Sequence, residues 1–185
     1  MVTSDFSITE FSNDNFAIIG RFLYIGTQYE KSFRAYFTVN VLKYSSYFKN
    51  KMKEFKNIKI DNYSEKALFE INEISSKLTF NRMISFFFDN IINKILPSDD
   101  FKAIFIKAKD FRNYIAHELC NFELNEIEKD SFRNHLIKDL EDEVKNLIMC
   151  VLIMGNAINE FNKEPTLINI DKKIDEIYQW IIYTE

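Results

Sequence analysis

The stretch Phe101-Lys102-Ala103-Ile104-Phe105-Ile106-Lys107-Ala108-Lys109-Asp110-Phe111-Arg112-Asn113-Tyr114-Ile115-Ala116-His117-Glu118-Leu119 places Phe101, Ile104, Phe105, Ala108, Phe111, Ile115 and Leu119 at steps of three and four. That spacing returns to the same side of an α-helix at every turn, so it predicts a helix with one apolar face. Pro97, Ser98, Asp99 and Asp100 come just before it. Proline stops whatever precedes it, Ser98 is placed to cap the new helix, and acidic residues suit a first turn.

The same period extends in both directions. Phe22, Ile25, Tyr29, Phe33, Tyr36 and Phe37 mark the buried face of a long helical region from Asp14 or Asn15 to about Asn57. Gly20 and Gly26 within it allow a bend or close packing. A polar turn is expected around Asn57 to Ser64, with Asn62 and Glu65 as a capping box. The next helix carries Leu68, Ile71, Ile74, Leu78, Ile84, Phe87, Ile91 and Ile95, with an interruption at Ser76 to Asn81. Beyond the quoted stretch, a helix is expected from about Ser131 to Glu160, its face formed by Leu136, Leu140, Val144, Leu147, Val151 and Met154. Glu164-Pro165 ends that pattern. Asp171 is read as the cap of a short final helix bearing Ile174, Ile177, Tyr178 and Ile181. The expected fold is all-α: an antiparallel bundle of four main helices plus a short C-terminal helix.

Composition agrees. The 185 residues suit one domain, read as 1–185, with a bundle core at about 14–160 and a final helix at about 171–183. Only 3 Gly and 2 Pro are present, too few punctuators for a many-stranded sandwich or barrel. The 19 Phe, with abundant Lys, Asn and Ile, are read partly as the codon bias of an AT-rich genome. Cys120 and Cys150 have no metal-type spacing and are expected as small buried residues. No signal peptide is read at the N-terminus, where Asp5, Glu10 and Asp14 interrupt any apolar core. The longest apolar stretch, Leu147 to Ile158, falls short of the roughly 20 residues a bilayer requires. A cytoplasmic location without membrane attachment is expected by elimination.

The net charge of −4 excludes nucleic-acid binding by bulk electrostatics and leaves only a local patch. Lys102, Lys107, Lys109 and Arg112 are one such patch, although a solvated helix face is the plainer reading of the lysines. Within the quoted helix, Arg112, Asn113 and His117 bring together a permanent cation, an amide and an imidazole. Asn113 and His117 are one turn apart and share a face. Arg112 and His117, five residues apart, lie about 140° apart around the axis. Simpler roles exist for each: an exposed or capped helix histidine, a salt-bridged arginine, a surface asparagine. Tyr114 is placed to stack on a base or to serve a core or interface. Phe86-Phe87-Phe88 reads as core or interface, and His135 as a solvated helix residue.

Arg112-Asn113-Tyr114-Ile115-Ala116-His117 resembles the signature of the HEPN superfamily, all-helical domains that include many metal-independent ribonucleases. The family pattern is an arginine, a polar residue (here Asn113), a short spacer and a histidine, on a late helix of the bundle. The resemblance implies an RNA endonuclease. Attack by the ribose 2′-hydroxyl would leave a 2′,3′-cyclic phosphate, and DNA would not be cut. Arg112, Asn113 and His117 would be catalytic, with Lys109 and Tyr114 contacting substrate. An imidazole with an ordinary pKa near 6.5 suits proton transfer near neutral pH, and the arginine fork suits charge building on phosphate oxygens. The resemblance also implies a homodimer with the active site at the interface, and an antitoxin or defence-system partner in bacterial toxin–antitoxin or antiphage systems. No cofactor and no metal are implied. Toxins paired with nucleotidyltransferase antitoxins often carry a tyrosine two residues beyond the histidine. Leu119 stands there in this chain, so silencing by that route is not expected. The competing expectation is a non-catalytic helical adaptor that uses the Arg112/His117 face for a protein partner or a nucleotide.

Overall fold

The computed structural model describes residues 15–55, 65–88, 99–122, 127 and 130–183. Among these there are helices and no strands, so the fold class is all-α. Eight α-helices follow one another: α1 (Asn15–Lys43), α2 (Ser45–Lys51), α3 (Glu65–Lys77), α4 (Phe80–Phe87), α5 (Asp99–His117), α6 (Asp130–Asn134), α7 (Glu141–Asn162) and α8 (Ile170–Ile182). Short 3₁₀ turns occur at Lys53–Phe55 and Leu119–Asn121, and a π-helical turn at His135–Asp139 joins α6 to α7. The expected turn at 57–64 with its Asn62 cap, and the Ser98 cap, lie outside the described residues.

The chain forms two compact units. The first comprises Met1–Tyr29, Ala103–Leu152 and Ile168–Glu185. Its core collects Ile18, Phe22, Ile25 and Tyr29 from α1, and Phe105, Ala108, Phe111 and Ile115 from α5. Leu136, Val144, Leu147 and Ile148 join them, with Ile174, Tyr178 and Ile181 from α8. The Phe22 and Phe111 rings meet edge-on at 6.2 Å, an arrangement favoured by the ring quadrupoles. Two buried hydroxyls are satisfied by main-chain carbonyls: Tyr29 donates to Phe105 at 3.0 Å and Tyr178 to Ile137. Arg21 donates to the Ile181 carbonyl at 3.1 Å and to that of Tyr183. A cation so placed covers carbonyls that the end of α8 leaves unpaired. Cys150 is buried as expected, and burial pushes its thiol up to about 12.

The second unit comprises Glu30–Lys102 and Ile153–Leu167, and much of the phenylalanine gathers here. Phe33 is fully buried, with Phe80 and Phe87 edge-on to it, both at 5.6 Å. Phe37, Phe48 and Phe55 continue the cluster at 5.4 and 6.0 Å between successive rings. Phe87 and Phe88 are thus core residues, and Phe86 is half-buried against Phe48. Arg34 holds Glu30 at 2.9 Å and donates to the carbonyls of Ser75 and Leu78 at 2.8 and 3.2 Å. The interruption expected at Ser76 to Asn81 is present: α3 stops at Lys77, and Thr79 caps α4 by accepting from the Arg82 N–H at 3.3 Å.

Several boundaries differ from expectation. The first helical region breaks at Tyr44, where no Gly or Pro marks the site. The helix expected over 131–160 contains the π turn, closed by the Leu140 N–H on the His135 carbonyl at 3.2 Å. The cap of α8 is Asn169, not Asp171: its side chain accepts from the Lys172 N–H at 2.9 Å, and Asp171 falls in the first turn. Asn169 also lies one residue ahead of the apolar period, where a cap belongs. α7 extends beyond its apolar run to 22 residues and is, by length and composition alone, long and apolar enough to cross a membrane. A buried core helix passes the same test, and Val144, Leu147, Ile148, Cys150 and Met154 of α7 are buried.

α7 ends before Glu164-Pro165 in a Schellman motif. The Glu164 N–H reaches the Asn159 carbonyl at 2.8 Å, and the Lys163 N–H reaches that of Glu160 at 3.1 Å. This requires the left-handed conformation, and Lys163 has φ 61°. An L-residue with a Cβ is disfavoured there by roughly 1–2 kcal/mol. Lys163→Gly is therefore expected to raise stability by about 1 kcal/mol. Urea unfolding should show a higher midpoint with an unchanged slope, and a lower midpoint would contradict the strain assignment.

Candidate active site on the face of α5

α5 remains α-helical through His117, its last residue, so the 140° between Arg112 and His117 is not relieved by a kink. Two contacts place the Arg112 side chain. The first is Gly26 of α1, a buried residue where a Cβ would lie 3.5 Å from the Arg112 Cγ. The aliphatic stem of Arg112 lies along that bare backbone. The second is Asn113, whose Oδ1 accepts from Arg112 Nη1 at 3.2 Å. The guanidinium thus sits beside the amide that is one turn from His117.

His117 itself is exposed. Its carbonyl accepts from the Asn121 side chain, which covers one of the acceptors left open at the helix end. Among the described residues no hydrogen bond holds its imidazole. Lys109, half-buried, has its Nζ 3.1 Å from Asp110 Oδ1. A partly exposed pair of this kind contributes about 0–1 kcal/mol.

Tyr114 is more constrained than the sequence indicated. Its ring stacks on Phe111, with centroids 6.1 Å apart and planes at 19°, which ties it to the core. Its hydroxyl lies 3.2 Å from Nε2 of His135. His135 Nδ1 in turn lies 3.1 Å from Asp139 Oδ2. Desolvation, then the charge of Glu118, raises the Tyr114 phenol above its ordinary value, so it keeps its proton. With Nδ1–H donating to the carboxylate, Nε2 is the acceptor and the phenol donates to it. His135 keeps the solvent access expected of it, its side chain 34% exposed, and is in addition hydrogen-bonded at both ring nitrogens. The i,i+4 spacing of His135 and Asp139 was a usable signal for half of this chain of bonds. The Tyr114 contact, 21 residues away, had none.

Among the described residues no group of three or more His, Cys, Asp or Glu comes together as a metal would require. Compared with known protein families, curated proteins and solved structures, the chain matches none.

Proposed function

We propose that this protein is a metal-independent RNA endonuclease of the HEPN type, with Arg112, Asn113 and His117 as its catalytic set. The observation that carries the reading is the Arg112 guanidinium held 3.2 Å from Asn113, one helical turn from an exposed imidazole. This is a fork of phosphate donors beside a proton-transfer group, on a surface a polymer can reach. His117 moves a proton at the ribose 2′-oxygen or the leaving 5′-oxygen. Arg112 stabilises charge on the phosphate oxygens, and Asn113 holds the guanidinium and offers its remaining N–H groups to the phosphate. Lys109 and Tyr114 contact the substrate. We assign the fold to a HEPN-like bundle acting as a homodimer, in which the partner's α5 faces the same phosphate. The protein works in the cytoplasm in toxin–antitoxin or antiphage defence, with an antitoxin or defence component as its partner.

The test is incubation of purified protein with total RNA in EDTA. The expected result is fragments ending in 2′,3′-cyclic phosphate and no cleavage of single-stranded DNA of matching sequence. The adaptor reading draws on the unbroken α5 and the acidic chain, and it gains if the folded protein leaves RNA intact.

A further inference from the structure

Transesterification of RNA needs two proton-transfer groups, one beside the attacking 2′-oxygen and one beside the leaving 5′-oxygen. Within one chain, the set Arg112, Asn113 and His117 supplies one. We propose that Tyr114, backed by His135 and Asp139, is the second, acting as a relay base within the same chain; this rests on the ribonuclease reading.

Tyr114 and His117 are three residues apart on an unbroken α-helix, so they are neighbours on its surface with Cβ atoms about 5–6 Å apart. Asn113 is one turn from His117 and carries the Arg112 guanidinium. The phosphate-binding group, the exposed imidazole and the phenol thus share one stretch of α5. With His135 neutral and its proton on Nδ1 toward the carboxylate, the bonds behind the phenol run in one direction, from Tyr114 O–H to His135 Nε2 and from His135 Nδ1–H to Asp139. This is the order of a nucleophile or base activated by an imidazole that a carboxylate orients. His135 and Asp139, an i,i+4 pair, are the two ends of a π turn. Such turns are frequent at functional sites.

The proton balance closes without a phenolate. The 2′-hydroxyl gives its proton to the Tyr114 oxygen as Tyr114 passes its own proton to His135 Nε2. The 2′-oxygen forms its bond to phosphorus. The bond from phosphorus to the 5′-oxygen breaks, and that oxygen takes a proton from protonated His117. The step ends with His135 protonated against Asp139 and His117 neutral, and solvent restores both. Among the described residues, the charged groups against the relay are Asp139 on its own turn and, from α5, Glu118, whose charge acts on the Tyr114 phenol.

The experiment is the pH profile of kcat/KM for metal-free RNA cleavage by wild-type protein, Tyr114→Phe, His135→Ala, Asp139→Asn and His117→Ala, each checked for an unchanged unfolding temperature. The base must be neutral and the acid protonated, so wild-type activity should rise and then fall with pH. Tyr114→Phe keeps the ring on Phe111 and removes only the hydroxyl. It should lower kcat/KM by about a hundredfold or more and abolish the acidic limb, as should His135→Ala. His117→Ala should instead remove the alkaline limb. Asp139→Asn takes away the counter-charge of the imidazolium and should move the acidic limb to lower pH. A merely structural relay would leave both limbs in place, so a Tyr114→Phe profile with wild-type rate and both limbs overturns the proposal alone. A folded wild-type protein that cleaves no RNA overturns the ribonuclease reading and the relay with it.

Discussion

His117→Ala is expected to lower metal-free RNA cleavage by roughly a hundred- to ten-thousand-fold, the range a positioned acid–base group contributes. The fold should not register the change, because the side chain is exposed and no hydrogen bond among the described residues holds its ring. A variant with wild-type thermal stability and lost activity separates chemistry from folding. Arg112 requires a different substitution. Its stem lies along Gly26, so Arg112→Ala would remove packing as well as charge. Arg112→Lys retains a stem and a charge but loses the planar fork. It is expected to lower kcat by about a hundredfold, with a smaller effect on KM. Full activity in both His117→Ala and Arg112→Lys would place the active site elsewhere.

The largest effect on stability is expected at Phe33. Its ring is fully buried and has Phe80 and Phe87 against its edges. Phe33→Ala removes a large buried surface and leaves a cavity that rigid aromatic neighbours fill poorly. The expected loss is about 3–5 kcal/mol. Domains are typically stable by roughly 5–15 kcal/mol, so this variant stands near the limit of folding. Phe69, on α3, is the matched comparison because it is 70% exposed. Phe69→Ala should change stability by no more than about 0.5 kcal/mol. Chemical denaturation of both variants decides the point, and similar losses would mean that the aromatic cluster is not the core of its unit.

What could be read from the sequence follows the range of each signal. The face of α5 was legible because its apolar residues recur within one helix, and Phe105, Ala108, Phe111, Ile115 and Leu119 are buried as the period requires. The stop between α3 and α4 was legible because the polar run Ser75-Ser76-Lys77 interrupts the apolar period. The break at Tyr44 was not, since the surrounding residues all tolerate helix and only packing selects the break. For α8, both Asn169 and Asp171 can cap, and the choice depended on two residues of register. The Arg112, Asn113 and His117 set could be read because it lies on two turns of one helix. The seat of the Arg112 stem could not, because it lies against Gly26 of another helix. The contact of Tyr114 with His135 joins segments whose approach no local pattern encodes.

The π turn at His135–Asp139 has a further meaning as a matter of phase. Such a turn is equivalent to one residue inserted into an α-helix that would otherwise run on from α6 into α7. Each residue advances the helical phase by about 100°, so the insertion sets which side of α7 points inward. Removing one residue to restore regular winding would rotate Val144, Leu147 and Ile148 out of the interior. The segment that holds His135 against Asp139 is thus also the one that times the burial of α7. The length of this turn is therefore constrained by the packing of α7, independently of which residues fill it.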